Sequence, residues 1–182
     1  MKVMKNLFFL FVLLALASCG SGKLAKNEAV SDQEAILLGQ FKIVDNGRDV
    51  TKNSRIYFDE NVKGVLDYKL DETGLLVMKV PKGNHFIKLI YTPYGSVNLP
   101  DGYALLTAAE GGKVHYIGTI EIDGSGQLQK KFSGIVNDVQ AKDLKEKKVP
   151  IVVSDKRQEA LEAYEKEYEK TSAVISLLKV GN

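Results

Sequence analysis

The chain contains one cysteine, two histidines and no tryptophan among its 182 residues. A single cysteine excludes a disulfide within the chain, so the fold must be stabilised by packing. A zinc site needs three or four ligands from histidine, cysteine or carboxylate side chains, and two separate histidines do not supply such a set. We therefore expect neither a metal nor a cofactor.

Long tracts of one charge are also missing. The chain has 25 basic and 23 acidic residues, and the basic residues do not form clusters. Nucleic-acid-binding proteins carry a basic patch or stripe, so this composition argues against a nucleic-acid partner. Hydrophobic residues make up 45% of the chain, which is compatible with one folded domain of ordinary size.

One strongly hydrophobic run is present, at residues 7–17. It is about half as long as the roughly 20 apolar residues that span a bilayer as a helix. Lys2 and Lys5 precede it, and a Gly/Ser-rich segment follows it. This pattern is typical of a cleaved signal peptide, here residues 1–18.

The tetrapeptide Leu16-Ala17-Ser18-Cys19 follows this run and resembles a bacterial lipobox. The resemblance implies cleavage before Cys19 and fatty acylation of that residue, in contrast to an ordinary secretion signal. The membrane would then be a partner through the lipid at Cys19, since several acyl chains anchor a protein stably. Gly20 in the next position implies sorting to the outer membrane, with the periplasmic and exterior faces both left open.

Processing would remove Lys2 and Lys5 and no acidic residue, which leaves 25 − 2 = 23 basic and 23 acidic residues. Residues 19–34 are small and polar, and such a composition does not bury enough apolar surface to fold. We predict that they form a flexible tether with a reach of about 20 to 25 Å.

Residues 35–153 show short runs of β-branched and aromatic residues with period two, interrupted by turn residues. Asn46-Gly47 is the strongest hairpin signal, because both residues tolerate positive φ. We also expect hairpin turns at residues 71–74, 81–84 and 123–126. The pattern predicts an antiparallel β-sandwich with strands at residues 36–44, 55–58, 65–70, 75–80, 85–92, 103–108, 113–122, 128–139 and 149–153.

The alternation is clearest at residues 113–122. It predicts that Val114, Tyr116, Gly118, Ile120 and Ile122 share one face of a strand.

Residues 154–182 differ in character and are predicted to form a C-terminal amphipathic helix packed on the sandwich. Ser154 is the expected N-cap. Leu161, Tyr164 and Tyr168 recur on one helical face and should dock against a sheet. The pattern leaves open whether residues 174–180 continue the helix or form a separate tail.

Two segments resemble known modules. Residues 68–87 are similar to the strand, Pro-x-Gly turn, strand pattern of carboxypeptidase regulatory-like and PEGA-type domains, with Pro81 and Gly83 in the turn. Residues 114–120 resemble a Tyr-x-Gly strand of bacterial envelope lipoproteins. The resemblance implies a transthyretin-like β-sandwich and a non-enzymatic role, and it brings no catalytic residues with it.

Residue types that carry chemistry are sparse. His85 lies at the beginning of one predicted strand and His115 within another, and both are interpreted as surface or strand-packing residues. The acidic pairs Asp59-Glu60 and Asp71-Glu72 could supply the two carboxylates of a glycosidase, but both lie in predicted turns, where carboxylates are solvated. The Asp123-Gly124-Ser125-Gly126 segment lacks the spaced ligands of an EF-hand and is interpreted as a turn.

The loop at residues 91–103 is the candidate binding surface. Tyr94 is the ring expected to be exposed, since Tyr91 and Tyr103 should pack inward, and Asn98 is the polar candidate beside it. We predict a lipid-anchored envelope lipoprotein with a structural or interaction role. The alternatives are a glycan- or peptide-binding protein that uses the Tyr94 loop, and a hydrolase whose site is spread over several strands.

Overall fold

The protein is a two-layer β-sandwich with one short helix on its outside. The computed structural model describes residues 30–59, 67–130, 145–168 and 172–181, without the side chains of residues 107–109 and 130. The prediction of a mainly β sandwich that also carries a helix in its C-terminal part is confirmed. In chain order the elements are β1 Glu34–Asp45, β2 Arg48–Asp49, β3 Arg55–Phe58, β4 Asp67–Lys69, β5 Leu75–Pro81, β6 Gly83–Tyr91, β7 Gly95–Asn98, β8 Ala104–Ala109, β9 Val114–Asp123, β10 Gln129–Lys130, β11 Ile151–Ser154, α1 Arg157–Glu165, β12 Ala173–Ile175 and β13 Lys179–Val180.

The first sheet is built around the neighbouring strands β1 and β9. On its other side β1 pairs with β5 and, near its end, with β2, whereas β9 pairs with β11 and β12. Strands β1 and β9 run parallel, as do β12 and β9, so the sheet is mixed rather than purely antiparallel. Parallel neighbours require a long connection, and here strands β2 to β8 lie between β1 and β9 in the chain.

The second sheet has the order β10, β7, β6, β3, β4, and all of these neighbours are antiparallel. Strand β8 lies beside the first part of β6, and β13 lies beside β8. The nine-residue strand β6 therefore runs the length of this layer.

The main hydrophobic core lies between the two sheets. The first sheet contributes alternate residues of β1, and the second contributes residues of β3, β6 and β7. This is the inward-facing alternation expected of a sandwich. The members of the core from these strands are Ala35, Leu37, Phe41, Ile43, Ile56, Phe58, Ile87, Ile90 and Val97.

The hairpin predicted at Asn46-Gly47 is confirmed. Val44 lies opposite Asp49 and Asp45 opposite Arg48, which leaves a two-residue loop. Both loop residues have positive φ, 49° for Asn46 and 77° for Gly47. These angles match the turn type whose twist suits a tight antiparallel hairpin.

The turns at residues 71–74 and 81–84 do not form hairpins, contrary to the prediction. Strands β4 and β6 belong to the second sheet, but β5 belongs to the first, so both turns carry the chain between the layers. Leu76, Val77 and Met78 are all buried in succession, which requires cover on both faces of β5. Strand β5 is covered on both faces in the first sheet because α1 packs on the outer face of that sheet.

The turn at residues 123–126 also joins the two layers rather than forming a hairpin. It leads from β9 in the first sheet to β10 in the second, where Gln129 pairs with Ser96. The rest of the strand predicted at residues 128–139 lies outside the described residues from position 131 onward.

A β-bulge in β9 overturns the prediction that five of its alternate residues share one face. Leu38 pairs with Tyr116 but Gly39 pairs with Gly118, so Ile117 is an extra residue in the ladder. The extra residue reverses the alternation. Val114 and Tyr116 consequently face α1, whereas Ile120 and Ile122 face the main core.

Two glycines make this bulge feasible. Gly118 has a φ of 114°, which L side chains rarely adopt. A Cβ on Gly39 would lie 2.6 Å from the Ile117 side chain, so the glycine leaves room for the extra residue.

Helix α1 spans Arg157–Glu165, which is shorter than predicted, and Ser154 is not its N-cap. Ser154 instead pairs with Thr119 as the last residue of β11. The N-cap position is Lys156, whose N–H donates to the Tyr116 hydroxyl at 2.9 Å and ties the start of the helix to β9. Because Ser154 stays in the backbone pairing of β11 with β9, it cannot also serve as the N-cap of the helix.

The predicted docking of the Leu and Tyr stripe is confirmed. Tyr164 is 5% exposed, and Leu161 and Tyr168 pack against the same cluster on the outer face of the first sheet. The Tyr164 and Tyr168 rings stack with centroids 4.7 Å apart. The buried members of this outer cluster are Ile36, Leu38, Val77, Val114, Tyr116, Ala160 and Tyr164.

Residues 173–175 and 179–180 form strands, so the helix predicted over residues 154–182 does not extend into this part, and residues 174–180, which the pattern left open, do not continue the helix. Strand β12 extends the first sheet beside β9, and β13 extends the second beside β8. Leu178 lies between them and is buried in the main core. This segment prefers strands because its backbone completes hydrogen bonds at the edges of both sheets, such as Ser176 N–H to the Tyr116 carbonyl at 2.8 Å.

Candidate functional site

The sandwich has two poles. Strand β1 begins at the first, which we call the N-terminal pole, next to the connection between β5 and β6. The turns after β1, β6 and β9 lie at the other end, which we call the Tyr94 pole. Since β6 has nine residues and a strand rises about 3.3 Å per residue, roughly 25 Å separate the poles.

Tyr94 is the most exposed aromatic side chain of the described residues, at 59%. It lies in the turn between β6 and β7, which Thr92 organises. The buried Thr92 hydroxyl accepts hydrogen bonds from the N–H groups of Tyr94 at 3.2 Å and Gly95 at 3.1 Å. A side-chain hydroxyl that is hydrogen-bonded to backbone N–H groups two and three residues later holds the turn in one conformation. The ring is therefore presented by an ordered turn.

The end of this turn packs closely against β10. Gly95 pairs with Lys130, and a Cβ on Gly95 would lie 2.5 Å from the Gln129 carbonyl oxygen. Glycine is required at position 95 because the two backbones lie too close together to leave room for a Cβ.

The other tyrosines of the loop are partly buried, as expected. Tyr103 packs against the main core and donates its hydroxyl hydrogen to the Val149 carbonyl at 2.7 Å. Tyr91 is the last residue of β6 and is partly buried.

Asn98 does not join Tyr94 on an accessible surface. It is 7% exposed and pairs with Leu89 within the second sheet. Its carbonyl accepts a hydrogen bond from the Lys147 N–H at 2.8 Å. The sequence suggested a polar ligand-binding residue because strand β7 falls inside a segment that reads as an irregular loop. The structure places this residue in the packing of the sandwich.

The turn predicted at residues 123–126 contributes to the architecture of the Tyr94 pole. The Asp123 carboxylate accepts the Ser125 N–H at 2.9 Å, and hydrogen bonds from Ser125 lower the pKa of Asp123. Ser125 in turn accepts the Asn46 N–H at 2.6 Å, which joins this turn to the β1–β2 hairpin. These polar side chains hold two turns together.

Both histidines are buried, so of the two interpretations, surface or strand packing, the structure shows strand packing. His115 is 1% exposed, with the Ser176 hydroxyl 2.9 Å from Nδ1 and the Glu110 N–H 2.9 Å from Nε2. His85 is 5% exposed and contacts Asp59 and the Pro81 carbonyl. Within the described ranges, no group of three or more His, Cys, Asp or Glu side chains is arranged to hold a metal ion.

The described acidic residues of the two predicted pairs serve local structure. Asp71 Oδ1 accepts hydrogen bonds from the N–H and the hydroxyl of Thr73, which closes the turn after β4. Glu72 forms an exposed ion pair with Lys52 at 3.2 Å. Asp59 bonds to the backbone of β6, and Glu60 lies outside the described residues.

A polar concavity that the sequence did not indicate lies on the outer face of the first sheet. It has a volume of about 270 Å³ and is open to solvent. The hydrogen bonds of Thr51 and then the charge of Lys42 lower the pKa of Asp49 at its rim. The concavity collects side chains from five segments that are spread along the chain: β1, the region of β2, the turn before β5, β9 and the start of α1. Its polar lining residues are Gln40, Lys42, Asp49, Thr51, Glu72, Thr73, Thr119, Glu121, Lys156 and Glu159.

Cys19, the predicted lipidation site, lies outside the described residues. In the part of the chain that is described, no helix has the length and apolar character needed to cross a bilayer. Comparisons with protein-family models, with curated proteins and with solved structures found no match.

Proposed function

We propose that this protein is a lipid-anchored lipoprotein of a bacterial envelope, and that its sandwich is a non-catalytic structural or interaction module. The signal features of residues 1–18 and the lipobox-like sequence ending at Cys19 support the anchor. The two-sheet architecture supports the interpretation of the domain as a transthyretin-like module, and the outer membrane is the membrane that Gly20 favours.

The observation that carries the proposal is the opposite placement of the start of β1 and the Tyr94 turn. The chain reaches the sandwich at the N-terminal pole. An anchor at Cys19 would hold this pole towards the membrane, so the Tyr94 pole would face away from it. A partner in the envelope would then meet an ordered set of turns with an exposed tyrosine at its surface.

The buried histidines support a non-catalytic role. General acid–base catalysis requires a group within hydrogen-bond reach of a bound substrate. His85 and His115 direct both ring nitrogens to neighbouring protein groups instead.

The anchor is tested by mass spectrometry and membrane fractionation of the protein from its native cells. We expect a mature chain that begins at Cys19 with added acyl mass and sediments with membranes, and a Cys19→Ser variant that is neither acylated nor processed at this position. Ser21→Ala, which leaves the tetrapeptide intact, is the matched control and should behave as the unaltered protein. An unmodified Cys19, or residues 1–18 still attached, would refute the anchor.

A second candidate function is the binding of a glycan or peptide through Tyr94, favoured by its 59% exposure and its ordered turn. Truncation of a tyrosine that anchors a ligand weakens binding by about 2 kcal/mol or more. Retention of the mature protein on envelope glycans or crosslinked envelope proteins should therefore fall about thirtyfold in Tyr94→Ala. Val152→Ala, at an equally exposed apolar residue of the first sheet, should leave retention unchanged. Equal retention of both variants would remove this candidate.

A further inference from the structure

His85 occupies a buried position at the N-terminal pole, between the ends of two strands that belong to different sheets. Its Nδ1 lies 2.7 Å from Oδ2 of Asp59, the residue after β3. Its Nε2 lies 2.8 Å from the carbonyl oxygen of Pro81, the last residue of β5. One imidazole ring thus bridges the two layers of the sandwich.

Both neighbours of the ring are hydrogen-bond acceptors. A carbonyl oxygen cannot donate, and an ionised carboxylate cannot donate either. Both contacts are therefore hydrogen bonds only when each ring nitrogen carries a hydrogen, which is the imidazolium form. A neutral ring would turn one lone pair towards an oxygen atom, in a site with little access to water.

We propose that the contact of His85 with Asp59 and Pro81 is a pH-sensitive latch, closed when the imidazole is protonated and released when it loses its proton. From the end of β3 the latch faces the Asp59 carboxylate, from the end of β5 the Pro81 carbonyl, and from β8 the uncharged Leu106. Within the described residues, Asp59 is the charged group that acts on the ring.

Backbone hydrogen bonds lie on both sides of the latch. The Asp59 N–H donates to the Phe86 carbonyl at 2.8 Å, and the Phe86 N–H donates to Asp59 Oδ1 at 3.1 Å. On the other side, the Lys82 N–H donates to the Gln33 carbonyl at 2.9 Å, which joins the β5–β6 connection to the segment that leads into β1. Release of His85 would loosen the connection between the two sheets where the chain enters the domain.

The direction of the pH effect follows from the protonation state. Burial lowers the pKa of His85, but the hydrogen bonds to Asp59 and Pro81 and the charge of Asp59 outweigh burial and raise this pKa above its usual 6.5. A group with a raised pKa in the folded state adds stability that is fully present below the unfolded-state pKa. This stability is lost as the pH rises through the folded-state pKa, so the latch opens towards alkaline pH.

Hydrogen exchange of the full-length protein in detergent micelles at pH 6 and pH 9, corrected for intrinsic rates, tests the latch. We expect the protection of residues 81–88 to fall about tenfold for each pKa unit by which the folded ring exceeds the unfolded one. Residues 36–44, inside the first sheet, are the internal reference and should change less. His85→Gln should abolish the difference because an amide side chain does not gain or lose a proton between these pH values. His115→Gln, the other histidine, should retain it.

Equal protection of residues 81–88 at both pH values would overturn the latch, as would the same pH dependence in His85→Gln as in the unaltered protein. If His85→Gln fails to fold, the nitrogen chemical shifts of the His85 ring in the unaltered protein test the proposal, because they report whether the ring is protonated. At pH 6.5 we expect His85 to be doubly protonated in most molecules. A ring that is mostly neutral at this pH would refute the proposal.

Discussion

Replacement of Tyr164 by alanine tests whether α1 is an integral part of the domain. Tyr164 is 5% exposed, packs in the outer cluster and stacks on Tyr168 with an interplanar angle of 18°. Removal of a fully buried aromatic ring costs about 3–5 kcal/mol, which includes the cavity that it leaves. The total stability of a domain is about 5–15 kcal/mol, so the variant should lose a large share of it.

The loss should appear as a lower midpoint of thermal unfolding. For a chain of this length 1 kcal/mol corresponds to about 2–4 °C, so we expect Tyr164→Ala to unfold roughly 6–20 °C below the unaltered protein. Glu165→Ala, on the exposed side of the same helix, is the matched control and should change stability by less than about 0.5 kcal/mol. If the two variants unfold at the same temperature, the helix does not stabilise the sandwich and the reasoning is refuted.

Three further substitutions probe the glycines of two turns and a side-chain link between the sheets. Gly74 and Gly126 have nearly equal φ values, 68° and 70°, but a Cβ on Gly74 would lie 2.0 Å from the Phe41 carbonyl oxygen, whereas Gly126 has open space around it. We expect Gly126→Ala to cost about 1–2 kcal/mol in thermal unfolding and Gly74→Ala several times more, so equal losses would contradict the close approach. Tyr103→Phe removes the hydrogen bond from the Tyr103 hydroxyl to the Val149 carbonyl and should lower the stability measured by urea unfolding by about 0.5–1.5 kcal/mol, with an unchanged slope. An unchanged midpoint would show that this bond contributes nothing.

The strands were predictable from the sequence because their signals are local. Period-two alternation located β1, β3, β5 and β6 to within a few residues, and the two residues of the Asn46-Gly47 loop determined the first hairpin. The pairing of strands was not predictable in the same way. Whether a turn joins neighbours in one sheet or crosses between sheets depends on which faces are covered, and the cover on β5 comes from a helix more than seventy residues later in the chain.

The bulge at Ile117 shows a second limit of prediction from the sequence. One extra residue reverses the alternation, and nothing in the local pattern of β9 marks its place except Gly118, which could equally have been a small packing residue. The C-terminal strands were missed for a related reason, since β12 and β13 are three and two residues long and are stable only as edges of sheets that already exist.

The candidate site was predicted in part. The exposure of Tyr94 follows from its position between a proline and a glycine in a turn, where a large side chain cannot be covered by its own strand. The burial of Asn98 was missed because its strand has four residues, GSVN, of which one is aliphatic. The polar concavity is lined by residues from five separate segments, so no single segment of the sequence indicates it.

The arrangement of β12, Leu178 and β13 has a consequence for how the domain is made. Strand β1 gains its parallel neighbour only when β9 is made, and residues 172–181 supply an edge strand to each layer and Leu178 to the main core. A polypeptide that is still being delivered from its N-terminus therefore lacks the pieces that close the sandwich. The sandwich is complete only when residues 173–180 are present, and a product that stops before them would leave the core unfilled and one strand edge unpaired in each sheet.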